Sequence, residues 1–225
     1  MPFNAILWDF DGCVVDSETL ACQAFAEFAT QCGYPITTAS FIDRFTGKGL
    51  KEILHIIDGE AGLNLSENFP TEQLRLHREA LFEKALTPIP GIERALQACA
   101  HLPMCIASGS EPERLAHSLA VTRLDHYFTD RVFSASTVAR GKPAPDIFIY
   151  AAEKLGVNPA SSLVIEDSVS GVKAGKAAGA TVFGFLGGSH VTADHDQKLL
   201  AAGADLLFSD MHQLSQLMRD WQNKA

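Results

Sequence analysis

The sequence predicts an α/β fold, in which a doubly wound and mainly parallel sheet carries an inserted all-α domain. Two observations support this prediction. After Pro88, short apolar runs alternate with helical patterns to the end of the chain, as expected for the strand–helix units of a parallel sheet. Residues 16–86 show only helical patterns, so a helical insert separates the first strand from the others.

The first strand is predicted at Asn4–Asp9, a short apolar run that ends in carboxylates and is followed by a glycine turn. The insert then shows helical patterns over roughly 17–33, 39–58 and 71–86. The first of these helices has apolar residues at helical spacing and ends at Gly33. The phenylalanines of the insert are assigned to its apolar core: Phe25, Phe28, Phe41, Phe45 and Phe82.

The remaining elements form the sheet and the helices that follow its strands. Further strands are predicted at Met104–Ala107, Val132–Phe133, Leu163–Ile165, Thr181–Phe185 and Asp205–Phe208. Helices are predicted at 91–101, 111–120, 144–155, 169–178 and 211–221. We therefore predict a core domain of residues 1–13 and 88–225, and a helical cap of residues 14–87 inserted after the first strand.

Composition and charge limit the classes of function. Hydrophobic residues make up 47% and charged residues 20% of the 225-residue chain, so we expect a globular protein. The net charge of −9 argues against a nucleic acid or a membrane surface as partner. Five cysteines without a CxxC pair argue against a disulfide framework or a structural zinc site. We expect a soluble cytoplasmic protein without a signal peptide, acting as a monomer or weak homodimer.

Candidate site residues follow the predicted strands, because open parallel sheets bind ligands at the carboxyl ends of their strands. They comprise four carboxylates, a hydroxyl–glycine pair and a lysine that precedes a helix: Asp9, Asp11, Ser108, Gly109, Lys142, Glu166 and Asp167. A single aspartate at a strand end is usually a solvated loop residue. The whole set at one sheet edge indicates a functional site.

The carboxylates predict a metal ion. Asp9 and Asp11 are separated by one residue, so their side chains leave an extended chain on the same side and repel each other. Glu166 and Asp167 add to this negative charge, which a hard divalent cation would neutralise. Ligand sets made only of oxygen favour Mg²⁺.

Three other residues are interpreted as binding groups for an anion. The hydroxyl and amides of Ser108 and Gly109 precede a helix and could hold phosphate oxygens, although a plain N-cap serine is an equal alternative. Lys142 alone would be read as a solvated loop lysine. Beside a carboxylate–metal site, an unpaired lysine favours an anion clamp.

Three further features receive a structural interpretation. Gly171, Gly175 and Gly179 recur every four residues and are expected to let a helix pack close to the sheet. The Gly187–His190 loop is interpreted as a surface loop rather than as part of a substrate site. Cys13 adjoins the predicted site but is rejected as a nucleophile, because no histidine base is placed near it.

The ordered motifs resemble those of the haloacid dehalogenase superfamily. They are Asp9-Phe10-Asp11-Gly12, Ser108-Gly109, Gly141-Lys142-Pro143 with Pro145-Asp146, and Glu166-Asp167-Ser168. The resemblance covers essentially the whole chain and includes a helical cap after the first motif. It is greatest to the β-phosphoglucomutase-like branch, which contains small sugar-phosphate phosphatases, and it implies a Rossmann-like sheet with phosphoryl-transfer chemistry.

The resemblance implies a role for each residue that handles the phosphoryl group. Asp9 would be the nucleophile that forms an aspartyl-phosphate. Asp11 would be the general acid for the leaving alcohol and then the base for water. Ser108, the Gly109 amide and Lys142 would bind the transferring phosphoryl group.

The resemblance also implies a ligand set for the metal. Mg²⁺ would be held by the Asp9 carboxylate, the Asp11 backbone carbonyl and Asp167, with Glu166 in an outer or shared role. A true dehalogenase lacks the second aspartate and needs no metal, so Asp11 argues against that activity.

The expected function is hydrolysis of a small phosphorylated sugar, polyol or sugar acid. A phosphomutase is the main alternative. The β-phosphoglucomutases place a histidine after the first motif and an arginine in the cap loop, where this chain has Ala21 and Leu50. A non-catalytic protein that binds a phosphorylated ligand is a further alternative, although no lesion of the catalytic set is visible.

Substrate choice is assigned to one loop of the cap. The loop contains Thr46, Gly47, Lys48, Gly49, Leu50 and Lys51, and its two glycines allow close approach to a ligand. Lys48 or Lys51 could meet a second anionic group, although each is more simply a solvated lysine. The cap is expected to move as a lid about hinges near Cys13–Ser17 and Ala85–Pro88.

Overall fold

The computed structural model describes residues 3–45 and 48–224. The chain divides into two compact units. The core unit consists of Met1–Asp16 and Thr87–Ala225, and the helical unit consists of Ser17–Leu86. None of the helices in the described ranges has the length and hydropathy that a bilayer-spanning segment requires.

The core unit is built on a parallel sheet, which has six strands in the described part of the chain. The strands are β1 (Ala5–Trp8), β2 (Met104–Ser108), β3 (Val132–Ser134), β4 (Ser162–Glu166), β5 (Thr181–Phe185) and β6 (Leu206–Phe208). Their order is β3-β2-β1-β4-β5-β6, and each neighbouring pair is parallel. Leu7 of β1 lies between Cys105 and Val164, so β1 occupies the centre of a doubly wound sheet.

The helical unit packs around aromatic rings. It contains α1 (Glu18–Gln31), α2 (Thr38–Phe45), α3 (Leu50–Ala61), α4 (Leu65–Asn68) and α5 (Thr71–Ala85). Phe25 stacks on Phe41 and on Phe69, with ring centroids 4.8 and 5.4 Å apart. All five phenylalanines assigned to this core from the sequence are buried. Four of them belong to the apolar cluster of the unit, which confirms the assignment for Phe25, Phe28, Phe41 and Phe45.

The helices of the core unit follow its strands. They are α6 (Ile92–Ala98), α7 (Pro112–Thr122), α8 (Asp125–Phe128), α9 (Asp146–Lys154), α10 (Val169–Ala177), α11 (His195–Ala202) and α12 (Leu214–Lys224). α10 lies very close to the sheet, because a Cβ on Gly175 would come within 2.8 Å of Val182 Cγ2. This contact confirms the close-packing interpretation at that glycine.

The predicted continuous helix over 39–58 is wrong. The structure has two helices, α2 and α3, and the described residues Lys48 and Gly49 between them are not helical. Gly49 is extended and forms the N-cap of α3. Glycine is a poor helix former, and the apolar spacing on both sides of Lys48 and Gly49 concealed the interruption.

The sequence also gave no indication of α8 and α11, and it began the last helix too early. Leu199 is the buried residue identified in α11, so this helix presents only a weak amphipathic pattern. The last element begins as a 3₁₀ turn over Met211–Gln213 before α12 starts. Short helices with one apolar contact cannot be separated from loops by periodicity.

The two segments of the core unit that adjoin the helical unit pair with each other. Val15 forms an antiparallel bridge with Pro88. The Asp16 N–H donates to the Thr87 carbonyl at 3.0 Å, and the Ile89 N–H donates to the Val14 carbonyl at 3.0 Å. The chain therefore leaves and re-enters the core unit at one place.

Candidate active site

Buried polar residues collect where β1, β2 and β4 end. The strand order reverses direction between β1 and β4, and open α/β sheets bind ligands at such a switch point. Asp9 extends β1, with its N–H donating to the Ile165 carbonyl at 2.9 Å. The buried polar residues at these strand ends are Asp9, Ser108, Glu166 and Asp167. Burying charge is costly without a partner or ligand, which makes this edge the candidate site.

A lysine connects two of the carboxylates. Lys142 Nζ donates to Asp9 Oδ1 at 2.5 Å and to Glu166 Oε1 at 2.6 Å, and its side chain is 9% exposed. Burial opposes its charge, but the Asp9 and Glu166 carboxylates raise the pKa of Lys142 above its usual value. Lys142 is therefore not a solvated loop lysine, and both of its partners are distant in sequence.

The surroundings of Asp9 disfavour its negative charge. Burial raises the pKa of Asp9 well above its usual value, and the neighbouring Glu166 and Asp167 carboxylates raise it further. Lys142 acts in the opposite direction. One ammonium among three carboxylates leaves an excess of negative charge, which favours a further cation at this place.

Glu166 is held by Lys142 and by the start of α10. Its Oε2 accepts hydrogen bonds from the Ser168 N–H at 2.9 Å and from the Ser168 hydroxyl at 3.0 Å. Gly171 provides the necessary room, since a Cβ there would overlap the Glu166 carboxylate. Glu166 is fully buried, and these contacts make it a fixed partner of Lys142.

Asp9 and Asp167 provide a donor set that fits a divalent cation. Among the described residues, one carboxylate oxygen of each and the Cys13 sulfur lie within 4.8 Å of one another, and all three residues are buried. Carboxylate oxygens suit a hard ion such as Mg²⁺. Burial raises the pKa of Cys13 well above its usual value, and the Asp167 and Asp9 carboxylates add to the shift. Cys13 is therefore a neutral thiol beside the two carboxylates.

Asp11 has its own set of partners. Arg114 Nη2 donates to Asp11 Oδ1 at 2.7 Å, and the Ser110 hydroxyl donates to Oδ2 at 2.5 Å. The sequence analysis singled out neither Arg114 nor Ser110. Arg114 lies in the first turn of α7, the helix that follows β2. Its position close to a strand end was the feature of the sequence that could have identified it as a site residue.

Ser108 and Gly109 form the turn after β2. Ser108 is buried, and its hydroxyl oxygen accepts a hydrogen bond from the Ser110 N–H at 3.0 Å. The N-cap of α7 is Glu111, so Ser108 is not an N-cap and the pair does not form the first turn of the helix. Gly109 is exposed, and a Cβ there would meet nothing within 4 Å, so its backbone borders open space.

The loop after β5 also reaches this edge, so its interpretation as a surface loop is wrong. His190 Nε2 lies 2.9 Å from Asp167 Oδ2, and the His190 side chain is only 9% exposed. His195, at the start of α11, donates from Nε2 to the Asp167 carbonyl at 2.5 Å. The signal in the sequence was the flexible Gly187-Gly188 step after a buried strand, which permits close approach to the neighbouring strand end.

The proposed cap loop lies in the helical unit, and its residues are placed individually. Thr46 and Gly47 fall outside the described residues. Lys48 pairs with Glu52 at 2.6 Å on the exposed surface of the unit. Leu50 and Lys51 are the first, exposed residues of α3. Lys48 therefore behaves as the solvated lysine of the simpler interpretation.

Comparison with known proteins places this arrangement in a family. A model of haloacid dehalogenase-like hydrolases matches residues 3–179. The chain is 32% identical over 224 residues to the 6-phosphogluconate phosphatase of Escherichia coli (strain K12). That alignment covers 99% of this chain and 98% of the relative, so both units are included.

Two solved structures share the whole fold. A conserved haloacid dehalogenase-like protein from Agrobacterium tumefaciens str. C58 has 35% identity and a TM-score of 0.87, covering 98% of this chain and 99% of the other. A family hydrolase from Deinococcus radiodurans R1, solved with bound phosphate and sodium, has 31% identity and a TM-score of 0.82, covering 97% and 96%. These likenesses confirm the predicted α/β fold class.

Proposed function

The chain belongs to the haloacid dehalogenase-like hydrolases, and on this premise we propose that it is a phosphatase of small phosphorylated metabolites, namely sugar, polyol or sugar-acid phosphates. The observation that carries the proposal is the buried Asp9 beside Lys142 and Asp167 at the sheet's switch point. The named activity of the full-length Escherichia coli relative supports the substrate class. The phosphate bound by the Deinococcus radiodurans relative supports an anion site in this fold.

The first proposed step transfers the phosphoryl group to Asp9. One Asp9 carboxylate oxygen attacks phosphorus, and the ester P–O bond breaks with its electrons leaving on the alcohol oxygen. Asp11, protonated at this stage, gives its proton to that oxygen. The products of the step are a neutral alcohol and an aspartyl-phosphate on Asp9.

The second proposed step returns the enzyme to its starting state. The Asp11 carboxylate takes a proton from water while the water oxygen attacks phosphorus. The bond between phosphorus and Asp9 breaks, its electrons return to the Asp9 carboxylate, and inorganic phosphate leaves. Hydrogen bonds from Arg114 and Ser110 hold the two oxygens of the Asp11 side chain in place beside the site.

The remaining residues would bind and neutralise the phosphoryl group. The Lys142 ammonium lies beside the proposed nucleophile, where it can offset the charge of the incoming phosphate. The Gly109 amide borders open space, and Ser108 adjoins it. Asp9, Asp167 and the Asp11 backbone carbonyl would hold Mg²⁺, which supplies further positive charge next to the transferring group.

The test is a phosphate-release screen with Mg²⁺ over sugar, polyol and sugar-acid phosphates. We expect hydrolysis of at least one class, with Asp9→Asn as the inactive control. Excess EDTA should abolish turnover, and Ca²⁺ should inhibit it because its longer bonds and larger ligand number misplace the reacting groups. Absence of hydrolysis across the panel would contradict the phosphatase assignment, and full activity in EDTA would contradict the metal assignment.

A phosphomutase is the second candidate, because the same site chemistry would serve it. The observation against it is that Ala21 and Leu50 stand where the mutases place a histidine and an arginine, and neither side chain can hydrogen-bond. Phosphorus NMR with glucose 1-phosphate isomers and glucose 6-phosphate follows both reactions in one sample. We expect phosphate release without isomer exchange, and exchange that outruns release would reverse the assignment.

A further inference from the structure

Two histidines converge on Asp167 from the segment that follows β5. His190 Nε2 lies 2.9 Å from Asp167 Oδ2, and His195 Nε2 lies 2.5 Å from the Asp167 backbone carbonyl. A carbonyl only accepts hydrogen bonds, so His195 carries a proton on Nε2 and donates it, while His190 Nε2 lies within ion-pair distance of the carboxylate. The two rings meet edge to face, with centroids 5.9 Å apart. The segment that follows β5 therefore contacts both the side chain and the backbone of Asp167.

The position of His190 depends on close packing against the first motif. A Cβ on Gly12 would lie 2.8 Å from His190 Cε1, and a Cβ on Gly188 would lie 2.7 Å from the same atom. The Cβ on Gly188 would also come within 3.2 Å of the Gly12 carbonyl oxygen. Glycine at both positions lets the imidazole lie against the Asp-x-Asp-Gly turn.

A separate contact anchors the same loop. The Ser189 N–H and hydroxyl both donate to Asp16 Oδ1, at 3.1 and 2.8 Å. The neighbour of His190 is thus tied to the segment that follows the first motif. The loop is fixed on both sides of the imidazole, by packing against Gly12 and by the bonds to Asp16.

We propose that His190 is a positioning residue, which holds the Asp167 carboxylate in the orientation that binds the divalent cation. This inference rests on the metal site of the proposed function. His190 Nε2 contacts Oδ2 at 2.9 Å, whereas Oδ1 lies 3.7 Å from Sγ of Cys13, a member of the Asp9, Cys13 and Asp167 group. A donor that fixes one carboxylate oxygen orients the other toward the ion. His195 fixes the backbone from which that side chain projects.

The experiment measures Mn²⁺ binding by electron paramagnetic resonance on the full chain without substrate. His190→Leu keeps the volume of the ring and removes the donor, and we expect a weakening of Mn²⁺ binding by about 10-fold or more. His190→Gln keeps an N–H donor, and we expect it to restore most of the affinity. His126, an exposed histidine of α8, provides the matched control, and His126→Ala should bind Mn²⁺ as the wild type does.

A second variant covers the case in which His190→Leu fails to fold. His195→Ala leaves His190 in place and removes the donor to the Asp167 carbonyl, and we expect a smaller loss of Mn²⁺ affinity, about 3-fold or more. Wild-type affinity in a folded His190→Leu or His195→Ala protein would overturn the inference, as would a wild type that binds no Mn²⁺. A wild type that binds Mn²⁺ but releases no phosphate would contradict the proposed function alone.

Discussion

The two units of the molecule bury different kinds of residue. Among the described residues, the core unit buries Asp9, Glu166 and Asp167, whereas Ser17 is the polar residue that the helical unit buries. The Lys142–Asp9 pair of the core unit is 9% and 10% exposed, but the Lys48–Glu52 pair of the helical unit is 37% and 53% exposed. Burying charge costs free energy, so the buried charges of the core unit agree with the catalytic role proposed for them, whereas the helical unit is stabilised by apolar packing.

The largest expected effect tests the assignment of chemistry to the core unit. Asp9→Asn should reduce turnover by at least about 1,000-fold, because an amide cannot act as the nucleophile. Asp220→Asn on α12 is the matched control and should leave turnover unchanged. The measurement is phosphate release, with circular dichroism to verify folding. Near-wild-type turnover by Asp9→Asn would remove this residue from the covalent role.

The next effect compares the same loss of charge in both units. Lys142→Met leaves two buried carboxylates without their cation, and we expect the free energy of unfolding to fall by about 3–5 kcal/mol. Lys48→Ala removes one member of an exposed pair and should cost at most about 0.5 kcal/mol. Urea unfolding measures both. Equal losses would show that the two units do not differ in how they use charge.

A third prediction concerns substrate choice, which we assign to the helical unit. Leu50→Ala should change the ratio of kcat/KM between two sugar phosphates by about 10-fold. The unfolding free energy should change little, because Leu50 is 39% exposed. Leu76→Ala on α5, where the leucine is 52% exposed, is the control for an exposed leucine of the same unit. An unchanged substrate ranking in Leu50→Ala would show that this loop does not determine substrate specificity.

The smallest expected effect concerns thiol reactivity. Cys22 and Cys32 of the helical unit are half-buried, whereas Cys13, Cys99 and Cys105 of the core unit are buried. Burial raises the pKa of Cys22 to about 11, so its thiolate fraction and alkylation rate should rise about tenfold per pH unit below that value.

Iodoacetamide labelling of the native protein at pH 8, read by mass spectrometry, measures this difference. We expect Cys32 and Cys22 to react before the core thiols, and all five cysteines to react after unfolding. Native Cys13 or Cys105 reacting as fast as Cys32 would contradict the burial on which the comparison depends.

Much of the fold followed from patterns that are local in sequence. The apolar runs of β1, β2, β4 and β5 were located because strands buried on both faces are short and almost wholly apolar. The separation of α2 from α3 and the short helix α11 were not located. A glycine does not by itself end a helical pattern, and a helix with one buried apolar residue shows little periodicity.

The sequence by itself determined part of the candidate site, namely the residues that directly follow the strands. Parallel strands bring their carboxyl ends to one edge, so Asp9, Ser108 and Glu166 were expected together from their places after strands alone. Only the tertiary structure decided which atoms pair. Lys142 joins Asp9 across 133 residues, and Arg114 joins Asp11 across 103. The choice between such partners depends on how far each side chain reaches and on the space that glycines leave, as the packing of His190 against Gly12 illustrates. Neither the reach nor the space can be calculated from the spacing of residues along the chain.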